Sequence, residues 1–302
     1  MKEIVKITFS LTIVCVMAAF ILGAVYAKTE HIRKENEEKI EHETIEGLLG
    51  FGPGKKAPDN LKIYPVYRYV INDAKGNPRL GYLMPMKEKG YLLAEIELSG
   101  KLRTVIPVEA DASKLSERAS RDSVVNSALP KDLKAVYAQA LFIANLGDKR
   151  LGYVIPGVTQ GFKTFIKLMV SLDPNLTVTG IAITESEEDP GLGAEIEQSY
   201  FKNQFAGKTQ EVLKNLKVVK EPLPSDYFAV LDPPKAARQG LANDQIREIK
   251  EKHIKDDIYA LTGATISSRA VTNGVKDTVR KFVYRLEILG DAIKKDNIQV
   301  AF

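Results

Sequence analysis

Residues 262–268, Thr-Gly-Ala-Thr-Ile-Ser-Ser, place the hydroxyls of Thr262, Thr265, Ser267 and Ser268 around Gly263 and Ala264. Hydroxyl and amide donors gathered at a flexible backbone suit a phosphate. From Arg269 to Leu289, Val271, Val275, Val279, Phe282, Leu286 and Leu289 recur at three- and four-residue steps, which predicts an amphipathic helix with Thr265 near its first turn. Free N–H groups and the positive end of the helix dipole favour an anion there. Ser/Thr clusters also cap ordinary helices. From the residues alone, an anion site and an N-cap both stand.

A second segment carries turn chemistry. Residues 188–196, Glu-Asp-Pro-Gly-Leu-Gly-Ala-Glu-Ile, precede the aromatic run Tyr200-Phe201-Lys202-Asn203-Gln204-Phe205. Gly191 and Gly193 lack the third glycine of a dinucleotide fingerprint, so taken alone they mark only a Pro-Gly turn. Together, residues 261–275 and this segment resemble the FMN-binding domain shared by the G subunit of Rnf-type ion-translocating electron-transport complexes and the C subunit of the sodium-translocating NADH:quinone reductase. The resemblance spans roughly residues 135–290, with a poorly matched insert at about 208–256.

That resemblance implies FMN bound covalently through a phosphoester to Thr265, transferred from FAD by a separate flavin transferase. Thr262, Gly263, Ala264, Ser267 and Ser268 would surround the phosphate, and Glu188, Pro190, Gly191, Leu192 and Gly193 would border the ring. Tyr153, Phe162 and Tyr200 are stacking candidates that also suit a core. The chain departs from the family pattern in three places. Tyr259 stands where an acidic residue is usual, with Asp256 and Asp257 just upstream; Asp189 replaces a threonine, and Ser186 a frequent histidine.

The elements that must position these residues start with a membrane segment. The uncharged run Ile7–Ala27 would extend roughly 31 Å as a helix, about the hydrocarbon thickness of a bilayer. Lys2 and Lys6, with Val25-Tyr26-Ala27, also fit a cleaved signal peptide; the length of the run favours an anchor. Lys28, Arg33, Lys34 and Lys39 follow it, so positive charge does not fix its orientation. The family resemblance implies a single-pass protein of the cytoplasmic membrane with its large domain outside and other membrane subunits as partners.

The 302 residues, 44% hydrophobic and 27% charged, suffice for a real core. A net charge of +4 without a long basic tract argues against nucleic acid. The single cysteine, Cys15, lies in the apolar run, which excludes iron–sulfur clusters held by this chain, and His31, His42 and His253 form no ligand spacing. A redox role therefore needs an organic cofactor.

Residues 28–47 read as a charged helical stalk, and Gly47, Gly50, Gly52, Pro53, Gly54 and Pro58 as a hinge. Arg79, Gly81, Pro85 and Gly90 recur 71 positions later as Arg150, Gly152, Pro156 and Gly161, a degenerate repeat whose copies continue into strands over 91–98 and 162–170. Only the second copy reaches the Pro-Gly-Leu-Gly and Thr-Gly-Ala-Thr segments. The prolines of 221–234 predict a surface excursion, and 241–253 a charged helix. The expected fold is α+β, antiparallel sheets flanked by helices behind one N-terminal transmembrane helix. Its expected divisions are an anchor over 1–28, a stalk and hinge over 29–60, a β-rich repeat over 61–130 and a covalent FMN-binding domain over 131–302.

The functional expectation is a redox subunit that relays electrons within a membrane-bound ion-translocating oxidoreductase and is not catalytically complete alone. Two alternatives stand beside it: a membrane-anchored flavoprotein of another reductase, and a non-enzymatic extracytoplasmic assembly or sensing module.

Overall fold

The computed structural model describes residues 2–302 apart from Pro53 and Lys89, and without the side chains of Ala27, His31 and Ser113. Pro53 of the expected hinge and the side chain of His31 thus lie outside the described residues. Two compact units emerge, Met1–Gly47 and Leu48–Phe302. In the first, α1 (Lys2–Leu48) is one continuous helix that includes the apolar run and the charged stalk. It is long and apolar enough to cross a membrane. Along the stalk Arg33 bridges Glu30 and Glu37 at 2.8 and 2.7 Å, solvent-screened surface pairs that add little to the helix.

The second unit is built on one antiparallel sheet. Its strands are β1 (Leu61–Asn72), β2 (Pro78–Pro85), β3 (Tyr91–Ile96), β4 (Leu102–Val108), β5 (Lys134–Leu146), β6 (Lys149–Gln160), β7 (Phe165–Leu172) and β8 (Val178–Glu185). The order β4-β3-β2-β1-β5-β6-β7-β8 is two four-stranded meanders joined through antiparallel pairing of β1 with β5. Each meander follows short turns, the natural connection for antiparallel neighbours. Two short helices, α2 (Ala112–Ser116) and α3 (Arg118–Ala128), follow β4. They cover one sheet face over Tyr69, Ile71, Leu83 and Leu93.

The repeat is visible in the strands but not in every position. Arg79, Gly81 and Pro85 lie in β2, and Arg150, Gly152 and Pro156 lie in β6, so the outgoing strands match. The return strands do not. Pro85 pairs with Tyr91, whereas Pro156 pairs with Met169, because the second hairpin runs on to Gln160 and turns later. Phe162, expected in a strand, therefore sits in the turn; its amide and that of Lys163 donate to the Glu188 carboxylate instead of to a ladder. Gly90 has φ of 91°, a left-handed bend with no counterpart at Gly161.

After β8 come short helical turns at Gly193–Glu197, α4 (Ser199–Lys202) and Asn203–Phe205, then the insert. It holds α5 (Gln210–Asn215), β9 (Val218–Val219), α6 (Ser225–Leu231), α7 (Pro233–Arg238) and α8 (Asn243–His253). The expected surface excursion is only partly so. Prolines bracket α6, but Tyr227, Val230 and Leu231 are buried under α8 and the aromatic run, because Ile246, Ile249 and Tyr200 offer them apolar surface. The one parallel pairing among the described residues joins β10 (Ile258–Tyr259) to β9.

The long α9 (Thr265–Lys295) then packs across β6 and β7 on the face opposite α3. Its stripe is the expected one: Val271, Val275, Val279, Phe282 and Leu289 are buried, each worth about 1.5–3 kcal/mol of transfer free energy. Two glycines set its approach to β6. A Cβ on Gly157 would stand 2.2 Å from Thr278 Oγ1, and one on Gly274 would stand 2.9 Å from Thr159 Cβ. Thr159 also donates to the Ala270 carbonyl at 3.0 Å. Each glycine thus takes a threonine side chain of the other element directly against its backbone. Gly157→Ala should destabilise the second unit by about 1–3 kcal/mol, the usual cost of overpacking. Adding Thr278→Ala should recover part of it; urea unfolding of the single and double variants measures the coupling, and purely additive losses would refute the seam.

Candidate functional site

At the first turn of α9 the backbone itself arranges donors. Gly263 has φ of 77°, a conformation open to glycine at little cost, and it turns the chain from Leu261 into the helix. The Ser268 N–H makes the first intrahelical bond, to the Ala264 carbonyl at 3.0 Å. That leaves the amides of Thr265, Ile266 and Ser267 without partners inside the helix. Ala264 occupies the N-cap and supplies no side-chain cap. The cluster is therefore not an ordinary Ser/Thr cap.

The four hydroxyls have different fates. Ser268 is fully buried, donating to the Ala264 carbonyl at 2.9 Å and accepting from the Leu261 amide at 3.0 Å, so it fastens the turn onto the helix. Ser267 is buried too, and its Oγ donates to Glu188 Oε2. Thr262 is exposed and does not border the cavity described next. Thr265 is half-buried, borders that cavity, and its Oγ1 makes no hydrogen bond among the described residues.

The cavity measures about 250 Å³ and opens to solvent. Phe162, Glu188, Asp189, Leu192, Gly193 and residues 263–267 line it. Three separate loops meet there: the β6–β7 turn, the Pro-Gly-Leu-Gly segment and the start of α9. Of the residues singled out by sequence, Glu188, Leu192, Gly193, Gly263, Ala264, Thr265 and Ser267 line it, while Thr262, Ser268, Pro190 and Gly191 flank it. Tyr153 packs on Phe282 in the core, and Tyr200 packs edge-on against Phe228 and donates to Glu195 at 2.8 Å. Burial first, and that hydrogen bond second, push the Tyr200 hydroxyl up to about 12. Phe162 alone of the three aromatic candidates faces the opening, about 60% exposed.

Glu188 binds the three loops together. Only 6% exposed, it accepts the amides of Phe162 at 2.8 Å and Lys163 at 3.1 Å on Oε1 and the Ser267 hydroxyl on Oε2. A Cβ on Gly161 or Gly193 would lie 2.4 or 2.6 Å from its oxygens, so both glycines make room for a buried carboxylate. Beside it Asp189 pairs with Lys163 and holds the lysine pKa above its ordinary value. The sequence carries no signal of a role for Lys163 or Ile266, and Lys163 falls in a segment expected to be strand.

Tyr259, in place of the acidic residue, sits nearby on a different network. Its hydroxyl donates to Asp256 at 2.9 Å, and His253 Nδ1 lies 2.6 Å from the same carboxylate. Burial, then Asp256, push the Tyr259 hydroxyl up to about 12. A larger groove of about 380 Å³ runs beside α5 and α9, but its Lys276 is tied to the Leu216 carbonyl and its Arg280 to Asp277. The smaller cavity holds the Thr265 hydroxyl, which makes no hydrogen bond among the described residues.

Residues 161–280 match the FMN-binding domain family. The G subunit of the ion-translocating oxidoreductase complex of Escherichia coli K12 is 30% identical over 182 residues, 55% of this chain and 73% of the relative. The chain belongs to the family of these G subunits. The G subunit of the proton-translocating ferredoxin:NAD(+) oxidoreductase complex of Clostridium ljungdahlii is 31% identical over 140 residues, 46% of this chain and 58% of that protein. The crystal structure of Shewanella oneidensis NqrC superposes distantly, with a TM-score of 0.45 and 14% identity over 84% of this chain and 99% of that one. The chain spans 57–58% of the length of the Clostridium relative and of its Na(+)-translocating counterpart from Acetobacterium woodii. The resemblance drawn from the sequence thus extends to family and domain.

The lining suits the phosphate end of a flavin nucleotide, with helix amides that lack intrahelical partners and the Thr265 hydroxyl beside apolar Phe162, Leu192 and Ile266. Glu188→Ala should leave two amides and a hydroxyl without an acceptor, at a cost of about 1–3 kcal/mol. Hydrogen exchange should show the amides of Phe162 and Lys163 losing protection while α3 amides keep theirs. Unchanged protection at Phe162 would show that Glu188 does not hold the turn.

Proposed function

We propose that this chain is the FMN-carrying electron-transfer subunit of a membrane-bound ion-translocating oxidoreductase complex, with FMN joined through a phosphoester to Thr265. One observation carries the attachment point: among the hydroxyls of residues 262–268, Thr265 alone both borders the cavity and lacks a hydrogen-bond partner. A flavin transferase would supply the group from FAD. The new bond would join Thr265 Oγ1 to the FMN phosphorus as the bond between the two phosphates of FAD breaks, with AMP as the leaving group and the hydroxyl proton passing to a base of the transferase.

Once attached, the phosphate would face the amides of Thr265, Ile266 and Ser267 and the positive end of α9. Gly263 and Ala264 let it approach the backbone, and Thr262, exposed outside the cavity, would offer at most a further donor from solvent. Ser267 and Ser268 act less directly, fixing the turn through Glu188 and the Leu261 amide. Pro190 and Gly191 shape the loop that carries Leu192 and Gly193. A cavity of about 250 Å³ is smaller than the roughly 300–1,000 Å³ of closed ligand sites, so it would enclose only part of a flavin nucleotide. FMN supplies the capacity to take up and release electrons singly or in pairs, which this chain's own side chains lack.

The apolar part of α1 would anchor the chain in the cytoplasmic membrane as a single span, with the second unit outside and other subunits of the complex as its partners. Relatives that are themselves parts of such complexes support the assembly, and the length of the helix supports the span.

Two measurements test this reading. Co-expressed with a flavin transferase, the parent should show flavin fluorescence in a denaturing gel; Thr265→Val should abolish it and Thr262→Val should retain most of it. Equal fluorescence in the parent and Thr265→Val would sink the assignment. A reporter fused after Phe302 should behave as extracytoplasmic, with the chain resisting carbonate extraction. A shortened chain released in soluble form would favour signal-peptide cleavage.

A further inference from the structure

The chain enters the turn before Thr265 from β10, a strand only two residues long. On one side it pairs with β9, the Ile258 amide donating to the Lys217 carbonyl at 3.0 Å and the Ala260 amide to the Val219 carbonyl at 2.8 Å. Backbone groups alternate in direction along a strand, so the amide and carbonyl of Tyr259 face away from β9. That edge meets no further strand among the described residues.

The side chain of Gln204 completes it. Gln204 Oε1 accepts the Tyr259 amide at 2.8 Å, and its Nε2 donates to the Tyr259 carbonyl at 3.3 Å and to the Tyr200 carbonyl of its own turn at 3.4 Å. A carboxamide carries a donor and an acceptor, as a peptide group does, so it stands in for one residue of a third strand. Gln204 is buried, and Phe201 and Phe205 on the same turn are fully buried and packed edge-on, which fixes the turn in the core. Two residues after Tyr259, the Leu261 amide donates to Ser268 Oγ at 3.0 Å. The Leu261 carbonyl then accepts the Ala264 amide at 3.0 Å and closes the turn that leads to Thr265.

We infer that Gln204 is a positioning residue for flavin attachment: by clamping both backbone groups of Tyr259 it sets where the 261–264 turn, and with it Thr265 Oγ1, stands in the cavity. This rests on Thr265 as the attachment point. Gln204 does not line the cavity, so it acts through the backbone of Tyr259 and Leu261. The chemistry of the clamp is specific. A leucine of similar size leaves the amide and carbonyl of Tyr259 unpaired. A carboxylate still accepts the amide but turns lone pairs toward two carbonyls, whereas a protonated carboxyl accepts and donates as the amide does.

The test uses the full chain in detergent micelles with FAD and the flavin transferase, followed by flavin fluorescence in a denaturing gel. Gln204→Leu should lower the kcat of transfer about tenfold, since small misplacements of a reacting group cost that much or more, and leave KM for the chain near its parent value. A variant that was merely less folded would dilute the acceptor and raise KM instead. Gln204→Glu carries a pH signature. Burial lifts a glutamate above its usual pKa of about 4.3, so the acid form gains population as pH falls from about 8 to about 5.5. The kcat of Gln204→Glu relative to the parent should therefore climb across that range, while that of Gln204→Leu stays flat. Without flavin, hydrogen exchange at Tyr259 and Leu261 should quicken in Gln204→Leu while Val275 in α9 keeps its protection. Parent kcat in Gln204→Leu, or a flat pH ratio for Gln204→Glu, overturns the proposal and leaves attachment at Thr265 standing. A parent chain without covalent flavin removes both. Should Gln204→Leu fail to fold, the pH ratio of Gln204→Glu decides.

Discussion

The close seam between β6 and α9 fixes the rest of the site. Gly157 and Gly274 let the strand and helix backbones approach until Thr278 and Thr159 fill the space that side chains at those glycines would take. A long helix held this tightly has little freedom to slide along the sheet. Its first turn is thereby set opposite the β6–β7 turn, and the free end of the helix becomes a defined place. The buried stripe of α9 supplies the burial energy, and the glycines supply the register.

On that frame Glu188 does a second job. A buried carboxylate is tolerated only when hydrogen-bonded, and here two amides and one hydroxyl satisfy it. Each donor comes from a loop next to the cavity, so one side chain sets the relative positions of the three loops. It lines the cavity, yet its acceptor capacity is largely spent within the protein. Its role is to position the walls, and Thr265 is left as the group with chemistry to spare.

Much of this was legible in the sequence, for physical reasons that differ by element. The α9 stripe showed because burial on one helix face imposes a period of about 3.6, and the helix start showed because glycine and hydroxyl residues cluster where the ladder opens. The outgoing strands of the two meanders showed through matching glycines and prolines. The turn at Phe162 did not, because its conformation depends on a carboxylate 26 residues away in the chain. Burial of Tyr227 was hidden for the same reason, since prolines on both sides suggest a loop until a partner helix is known. Within the hydroxyl cluster, a tertiary contact with Glu188 separates Ser267 from Thr265, while Ser268 is spent locally on the Ala264 carbonyl and the Leu261 amide. The clamp of Gln204 on Tyr259 reaches across 55 residues, a distance no local pattern spans.

The sheet is open, and its two borders bear on how the molecule meets others. An unpaired strand offers a ladder of amides and carbonyls to any passing extended chain, which invites runaway β-stacking. Here β4 carries Arg103 and Pro107 and pairs with β3 through a bulge. At the other border Val178 of β8 exchanges backbone bonds with Gly207 and Lys208. Charge, a missing amide, irregular pairing and a strap of backbone thus blunt both borders. Fusion of sheets between neighbouring molecules is thereby discouraged even at high local concentration.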